Sequence, residues 1–360
     1  MSPFKSAIFL EPIDVCMFRD GRPFDAGNDG YARTNLMPSP STIAASVVAA
    51  FGEGVGRVAG PLLASWDDET VDVRMPTPRD LVRPEPVNRR PQIAERLRWN
   101  SSLLSSDLLG PQDHRRAGVA VPTNEVGGDP VGGFVGSGEL GAYLSGNERP
   151  ALGQVGSQRI DAEYSPRDRL DFVTQPERHT GLALPDEATP DRSGFFYVAE
   201  FLRLRHQHRR VGYVALTELE PNASALSDVV PLGGEGRRAA VSIRPIAELN
   251  LPAPPVVTTP HTLMYVATPA VYQHGWRPPL DLSVRLKAAA VGGPDCIAYG
   301  RVGAWKSARA VSPGSLYLLE HKSVERAQEY VHRFHNDCIN QATDDLRRRG
   351  FGLTLFGVLP

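Results

Sequence analysis

Residues 9–52 read FLEPIDVCMFRDGRPFDAGNDGYARTNLMPSPSTIAASVVAAFG, and this stretch constrains the fold more than any other. Ala7 to Phe18 is rich in Ile, Phe, Leu and Val, so it reads as a strand. Pro12 lacks an N–H for the ladder, which predicts an edge strand or a bulge. Asp20-Gly21 then forces a turn. From Arg19 to Asn35 the chain is a polar loop with Arg19, Arg22 and Arg33 among Asp20, Asp25, Asp29 and three glycines. It is too polar to bury and too glycine-dense to be helical. Ser39-Pro40-Ser41-Thr42 opens a helix: an N-cap hydroxyl, proline in the first turn, then an apolar stripe of Ile43, Val47, Val48 and Phe51 ending at Gly52.

A helix that starts where an arginine-bearing glycine loop ends turns free backbone N–H groups and a positive dipole end toward the loop. That arrangement suits an anion such as an RNA phosphate. It is equally the arrangement of a plain helix cap with solvated arginines, and the residues alone leave both readings open.

At 360 residues the chain is long enough for two cores of ordinary size. No run of about 18 apolar residues exists to cross a membrane, and the N-terminal AIFL is too short for a secretory signal. A cytoplasmic protein is expected. Cys16, Cys296 and Cys338 lie far apart, which disfavours a disulfide framework or a structural zinc site. The net charge is −2, so nucleic-acid binding has to come from local patches. All basic residues except Lys5, Lys287, Lys306 and Lys322 are arginine, which suits phosphate recognition and is also what a GC-rich genome encodes.

Further along, Gly54 to Met75 reads as a loop with one strand near Val71 to Met75. Met75 to Arg116 is the most basic part, with Arg74, Arg79, Arg83, Arg89, Arg90, Arg96, Arg98, Arg115 and Arg116 in or beside it. It reads as a surface insertion, extending to about residue 135, that is either a basic arm or a solvated loop. Gly118 to Gly156 is glycine-dense and reads as loops between short strands. Phe195 to His206 and Val211 to Leu216 read as a hairpin. Pro221 to Ala225 divides the chain into an N-terminal unit, 1–225, and a C-terminal unit, 226–360. Strands are expected at Ala239 to Ile246, Thr262 to Ala267, Val284 to Val291, Ser315 to Glu320 and Leu353 to Leu359. A long helix is expected over Val324 to Arg349, from the spacing of Val324, Ala327, Val331, Phe334, Cys338, Ile339, Ala342 and Leu346, and a short one near Pro269 to Gly275. Strands flanked by helices predict an α+β fold, and the order in the second half is ferredoxin-like.

Two glycine loops are candidate ligand contacts. Leu232-Gly233-Gly234-Glu235-Gly236-Arg237-Arg238 ends in two arginines that a phosphate could bridge, and Gly350-Phe351-Gly352 opens a run ending at Gly357. Neither has the form of a nucleotide-triphosphate or dinucleotide loop. His332, His335 and Cys338 recur every three residues but would spread around a helix. His179, or His206 with His208, has acid–base chemistry for RNA cleavage, although nothing in the sequence pairs with them. No paired carboxylates, triad or metal set emerges.

Five segments, in order, carry a resemblance: FLEPIDVCMFRDGRPFDAG, the PSPSTIAAS helix start, LGGEGR, AVSPGSLYLLE and GFGLTLFG. In these the chain resembles the RAMP subunit that binds the crRNA 5′ tag in the Cmr (type III-B CRISPR) effector complex. The resemblance implies two ferredoxin-like (RRM/RAMP) domains and no catalytic residue; no cofactor or metal is expected. It also implies three partners: the crRNA 5′ tag, the large polymerase/cyclase-like subunit and a backbone RAMP subunit. The tag phosphates are then expected near Arg19, Arg22, Ser39, Ser41, Gly233, Gly234, Arg237, Arg238, Lys306, Arg309, Gly350 and Gly352. The alternatives are a metal-independent endoribonuclease of guide RNA, using His179 or His206, and a pure protein–protein adaptor.

Overall fold

The computed structural model describes residues 3–19, 31–84, 95–96, 98–100, 118–121, 128–146, 173–182, 196–301, 304–339 and 341–359. The fold is α+β and strand-rich, built on two seven-stranded sheets. The first runs, edge to edge, Phe134–Gly136, Val71–Pro76, Val58–Trp66, Arg210–Thr217, Ser6–Pro12, Arg238–Pro245 and Val229–Pro231, every neighbouring pair antiparallel. The second runs Asp337–Cys338, Leu353–Gly357, His261–Val266, Leu316–Glu320, Arg285–Ala290, Gly118–Val121 and Arg98–Asn100.

Both faces of each sheet are covered. On the first strand Ala7 and Phe9 point one way and Ile8 and Leu10 the other, the alternation a pleated strand imposes. Phe9 stacks edge-on against Trp66 at 4.9 Å, in a core that also takes Leu62, Val73 and Met75 from its own sheet and Leu263, Tyr265, Leu316, Leu353 and Leu355 from the second. Ile8 and Leu10 meet Ile43, Val47 and Ala50 of the helix Pro40–Phe51. Met264, Val266, Tyr317, Leu319 and Phe356 pack on Ala327 and Val331 of the helix Val324–Phe334. The layers are therefore helix, sheet, sheet, helix.

Several expectations change. Ser6–Pro12 is paired on both sides and is central, because Pro12 is its last residue and Ile13 N–H resumes bonding to Arg238 O at 3.1 Å. Val58–Trp66, expected as loop, is a fully buried strand. Burial of both faces removes the polar alternation that would announce it, and Gly60 and Pro61 interrupt its apolar run. The strand expected at Ala239 to Ile246 exists but lies in the first sheet, beside Ser6–Pro12. Phe196–Arg205 and Arg210–Thr217 are both strands yet do not pair with each other. The former instead pairs with Val173–Leu182 and Tyr31–Ala32 in a separate three-stranded sheet. Residues 269–275 form bridges and turns and no helix.

The long helix ends at Phe334. Asn336 turns left-handed at φ 55°, and Asp337–Cys338 pairs with Leu353 and Thr354. A five-residue helix, Asp344–Arg348, then starts from Thr343, whose hydroxyl accepts Leu346 N–H. His335 locks the break: its Nδ1 accepts Phe356 N–H at 3.0 Å and its Nε2 donates to Pro252 O at 2.8 Å. The apolar spacing continues past Phe334 because Cys338, Ile339 and Leu346 are all buried, each in a different core.

The basic insertion is not all surface. Arg96 is buried, its Nε 3.1 Å from Asp80 and its guanidinium 4.2 Å from the Tyr143 ring, while the Tyr143 hydroxyl donates to Asp80 at 2.6 Å. Burial pushes the Asp80 carboxyl up, against the pull of Arg96. Arg74 is buried beside Asp72. Arg79 N–H donates to Gly314 O across the two sheets. Arg89, Arg90, Arg115 and Arg116 lie outside the described residues.

Removing Arg96 leaves a buried carboxyl without its cation, so Arg96→Ala should cost about 3 kcal/mol in urea unfolding. A second outcome concerns pH. His321 is buried against Thr262 and Tyr330, and burial, with His261 adding, pushes it down to about 4. The folded state then excludes a proton that the unfolded chain takes up below about pH 6.5. Thermal stability should fall as pH drops from about 6.5 toward 4, and His321→Gln should flatten that fall.

Candidate nucleic-acid interface

Beyond Pro12 the chain leaves the sheet but stays pinned. Cys16 exchanges backbone hydrogen bonds with Leu202, both 2.8 Å. Phe18 N–H donates to Thr34 Oγ1 at 3.0 Å, Asn35 N–H donates to Phe18 O at 2.9 Å, and Arg19 bridges Thr34. The first strand and the helix start are thus tied together at the base of the polar loop. Tyr213 supports the tie, its ring edge-on to Phe18 and its hydroxyl donating to Leu36 O at 2.7 Å. Burial pushes the Cys16 thiol up to about 12, Arg237 opposing and Asp14 adding, so it is no nucleophile at neutral pH.

The Leu232–Arg238 loop closes on this segment. Leu232 N–H reaches Arg237 O at 2.8 Å and Gly234 N–H reaches Met17 O at 2.9 Å. Gly233 has φ 79°, and a Cβ there would lie 2.4 Å from Met17 O. The glycine is required because backbone approaches backbone. Pro231 O accepts Ser46 Oγ at 2.6 Å, which joins the loop to the helix Pro40–Phe51. At that helix's N-terminus Ser39 makes no side-chain cap bond, and the buried hydroxyls of Ser39 and Ser41 have no hydrogen-bond partner among the described residues.

Seven of the expected residues therefore sit at one end of the first sheet: Arg19, Ser39, Ser41, Gly233, Gly234, Arg237 and Arg238. They are not equivalent. Arg237 donates to Asp14 at 3.3 Å and lies 4.5 Å over the Phe201 ring. Arg203 holds the other Asp14 oxygen at 2.9 Å and pairs with Glu177, whose carboxyl it draws below its usual range. Arg19 and Arg238 are exposed. Arg22, Asp20, Asp25 and Asp29 lie outside the described residues.

The remaining four lie elsewhere. Lys306 and Arg309 are exposed on a separate hairpin, Asp295–Arg301 with Ala304–Ala310. Gly350 and Gly352 are buried in left-handed turns. A Cβ on Gly350 would lie 3.0 Å from the carbonyls of Val58 and Gly60, and one on Gly352 would collide with Gln341. Gly350 lets the turn before Leu353–Gly357 approach the first sheet, and Gly352 leaves room for the Gln341 side chain.

Sequence reading missed Asp14, Arg203, Phe201 and Tyr31. Alternation along Phe196–Arg205 would have placed Phe201, Arg203 and Arg205 on one face. His206 is committed to a turn, its Nδ1 accepting N–H from His208 and Arg209. His179 is half-exposed, 3.7 Å from Glu177. Among the described residues no group of three or more His, Cys, Asp or Glu is placed to hold a metal, and His335 and Cys338 are separated by the helix break.

The profile of the family described as CRISPR-associated protein (Cas_Cmr3) matches residues 8–359. Among solved structures, a chain of "Cryo-EM structure of the Type III-B Cmr-beta bound to cognate target RNA" is 13% identical with a TM-score of 0.46, over 96% of this chain and 95% of that one. A chain of the same complex with cognate target RNA and AMPPnP, state 1, is 14% identical with a TM-score of 0.45, over 95% and 91%. Comparison with curated proteins finds no match.

Gly233 and Gly236 both have positive φ, at 79° and 65°, but a Cβ on Gly236 meets nothing within 4 Å. Gly236→Ala should cost about 1 kcal/mol. Gly233→Ala adds a clash with the Met17 carbonyl, so thermal unfolding should show a clearly larger loss for Gly233→Ala.

Proposed function

Because this chain belongs to the Cas_Cmr3 family of CRISPR-associated proteins, we propose that it is a non-catalytic subunit of a type III-B effector complex that holds the 5′ tag of the crRNA. The observation that carries this reading is the convergence at one end of the first sheet. Exposed Arg19 and Arg238 flank a glycine loop and a helix N-terminus carrying two buried hydroxyls with no hydrogen-bond partner among the described residues. Guanidinium forks supply charge for phosphates, and the helix start supplies N–H groups and a favourable dipole. Arg22 joins them by sequence, and Lys306 and Arg309 form a second contact on their hairpin. Gly350 and Gly352 act by packing.

The strand orders support two ferredoxin-like units. In the first sheet the order Arg238–Pro245, Ser6–Pro12, Arg210–Thr217, Val58–Trp66 is fourth, first, third, second, with a helix between first and second. Leu353–Gly357, His261–Val266, Leu316–Glu320 and Arg285–Ala290 repeat that order in the second, with a helix between third and fourth. The partners in this reading are the tag, the large polymerase/cyclase-like subunit and a backbone RAMP subunit, in the cytoplasm. Among the described residues no helix is long and apolar enough to cross a membrane.

In the assembled complex Arg19→Ala with Arg238→Ala should weaken guide-RNA binding. It should also flatten the dependence of log affinity on log salt by about 0.7 for each phosphate no longer neutralised. Unchanged affinity and slope would remove this end of the sheet from the RNA path.

A further inference from the structure

The small sheet beside the interface carries a feature that the tag-holding role does not absorb. Tyr31 sits on the two-residue strand that pairs, in parallel, with Val198 and Ala199, and among the described residues it is one of the few exposed large hydrophobics, at 36%. Its ring is held in place from several sides. The hydroxyl donates to Glu200 at 2.7 Å, and the guanidiniums of Arg33 and Arg178 lie 5.6 and 5.7 Å from the ring centroid. Arg178 stands opposite Glu200 in the ladder, so Tyr31, Glu200 and Arg178 share one face. Both arginines are exposed. The opposite face is spent on packing, with Ala32, Ala199 and Phe201 buried against Val15 and Met17.

An aromatic ring braced by a hydrogen bond and flanked by two planar cations, on an open sheet face, has the chemistry of a base-stacking platform. The ring offers a π-face to any nucleobase, the guanidiniums stack on bases or pair with the adjoining phosphates, and the fixed orientation lowers the entropy cost of binding. The position fits as well. Thr34, which bridges Arg19, follows Tyr31 by three residues, so the ring lies about 10 Å along the strand from the proposed phosphate site. We infer that Tyr31, with Arg33 and Arg178, stacks one unpaired base of the guide RNA adjoining the phosphates held near Arg19. This rests on the tag-holding reading above.

The test uses the assembled complex and guide RNAs carrying a single abasic site at successive positions of the 5′ tag. Tyr31→Ala should weaken binding of the intact guide roughly fivefold to a hundredfold, the range for removing one base–aromatic stack, while Tyr31→Phe, which keeps the ring and loses only the brace to Glu200, should weaken it clearly less. One abasic position should weaken binding to a similar extent and make Tyr31→Ala silent, the non-additivity of a direct interaction. If Tyr31→Ala binds every guide as wild type does while Arg19→Ala weakens binding, the platform falls and the tag reading stands. If both variants are silent, both fall. Loss of co-purifying subunits in Tyr31→Ala, with RNA affinity per complex unchanged, would make the ring a protein-docking residue and overturn the inference.

Discussion

The fold depends on one apolar layer that neither sheet can bury alone. Ala7, Phe9, Leu62, Trp66, Val73 and Met75 from the first sheet and Leu263, Tyr265, Leu316, Leu353 and Leu355 from the second form a single core. At roughly 25 cal/mol for each Å² of apolar surface removed from water, such a layer outweighs any polar contact across it. The polar contacts set register instead. Arg57 reaches Glu218 at 2.7 Å and Asp337 at 2.9 Å, and Arg347 reaches the same Asp337 at 3.4 Å. Tyr265 donates to Pro76 O at 2.6 Å. The chain also crosses between sheets more than once, since Gly118–Val121 joins the second and Arg238–Pro245 the first. A cut at residue 225 would therefore strip the first sheet of two strands.

That architecture explains which parts of the fold were legible. The helix Pro40–Phe51 declared itself because one face is covered and its ends carry proline and glycine, the conditions under which a 3.6-residue period survives in sequence. Val58–Trp66 did not, because a strand covered on both faces has no polar alternation to display. The spacing from Val324 to Leu346 was real and its interpretation too simple. A buried histidine and a left-handed asparagine break the helix, yet each later apolar residue still finds a core. Periodicity reports burial, and helix only by implication.

Legibility of the interface followed the same logic. Its glycines and arginines stood out, but sequence cannot divide arginines that brace the protein from arginines that face solvent. Arg96, grouped by composition with a basic arm, is an interior residue pinned by Asp80 and Tyr143. Arg237 and Arg238, adjacent and alike on paper, separate into a clip on Asp14 and Phe201 and an exposed cation. Tyr31 gave no signal at all, since its significance lies in residues brought to it from positions 178 and 200.

The division of the arginines bears on how a chain of net charge −2 can present an anion-binding surface. Asp14 and Glu177 each lie against arginines that already pack on Phe201 or between strands, so their charges are spent locally. In a screened medium with a Debye length near 8 Å, what a phosphate senses is the nearest few charges and not the total. The acidic residues at this end neutralise Arg203 and Arg237, which fix the loop's shape, while Arg33, Arg178 and Arg238 are exposed on either side of it. Removing Asp14 would therefore add field but loosen the clip that aims Arg238. Shape and charge at this end of the sheet are set by different arginines, and a near-neutral composition is no argument against an RNA-facing edge.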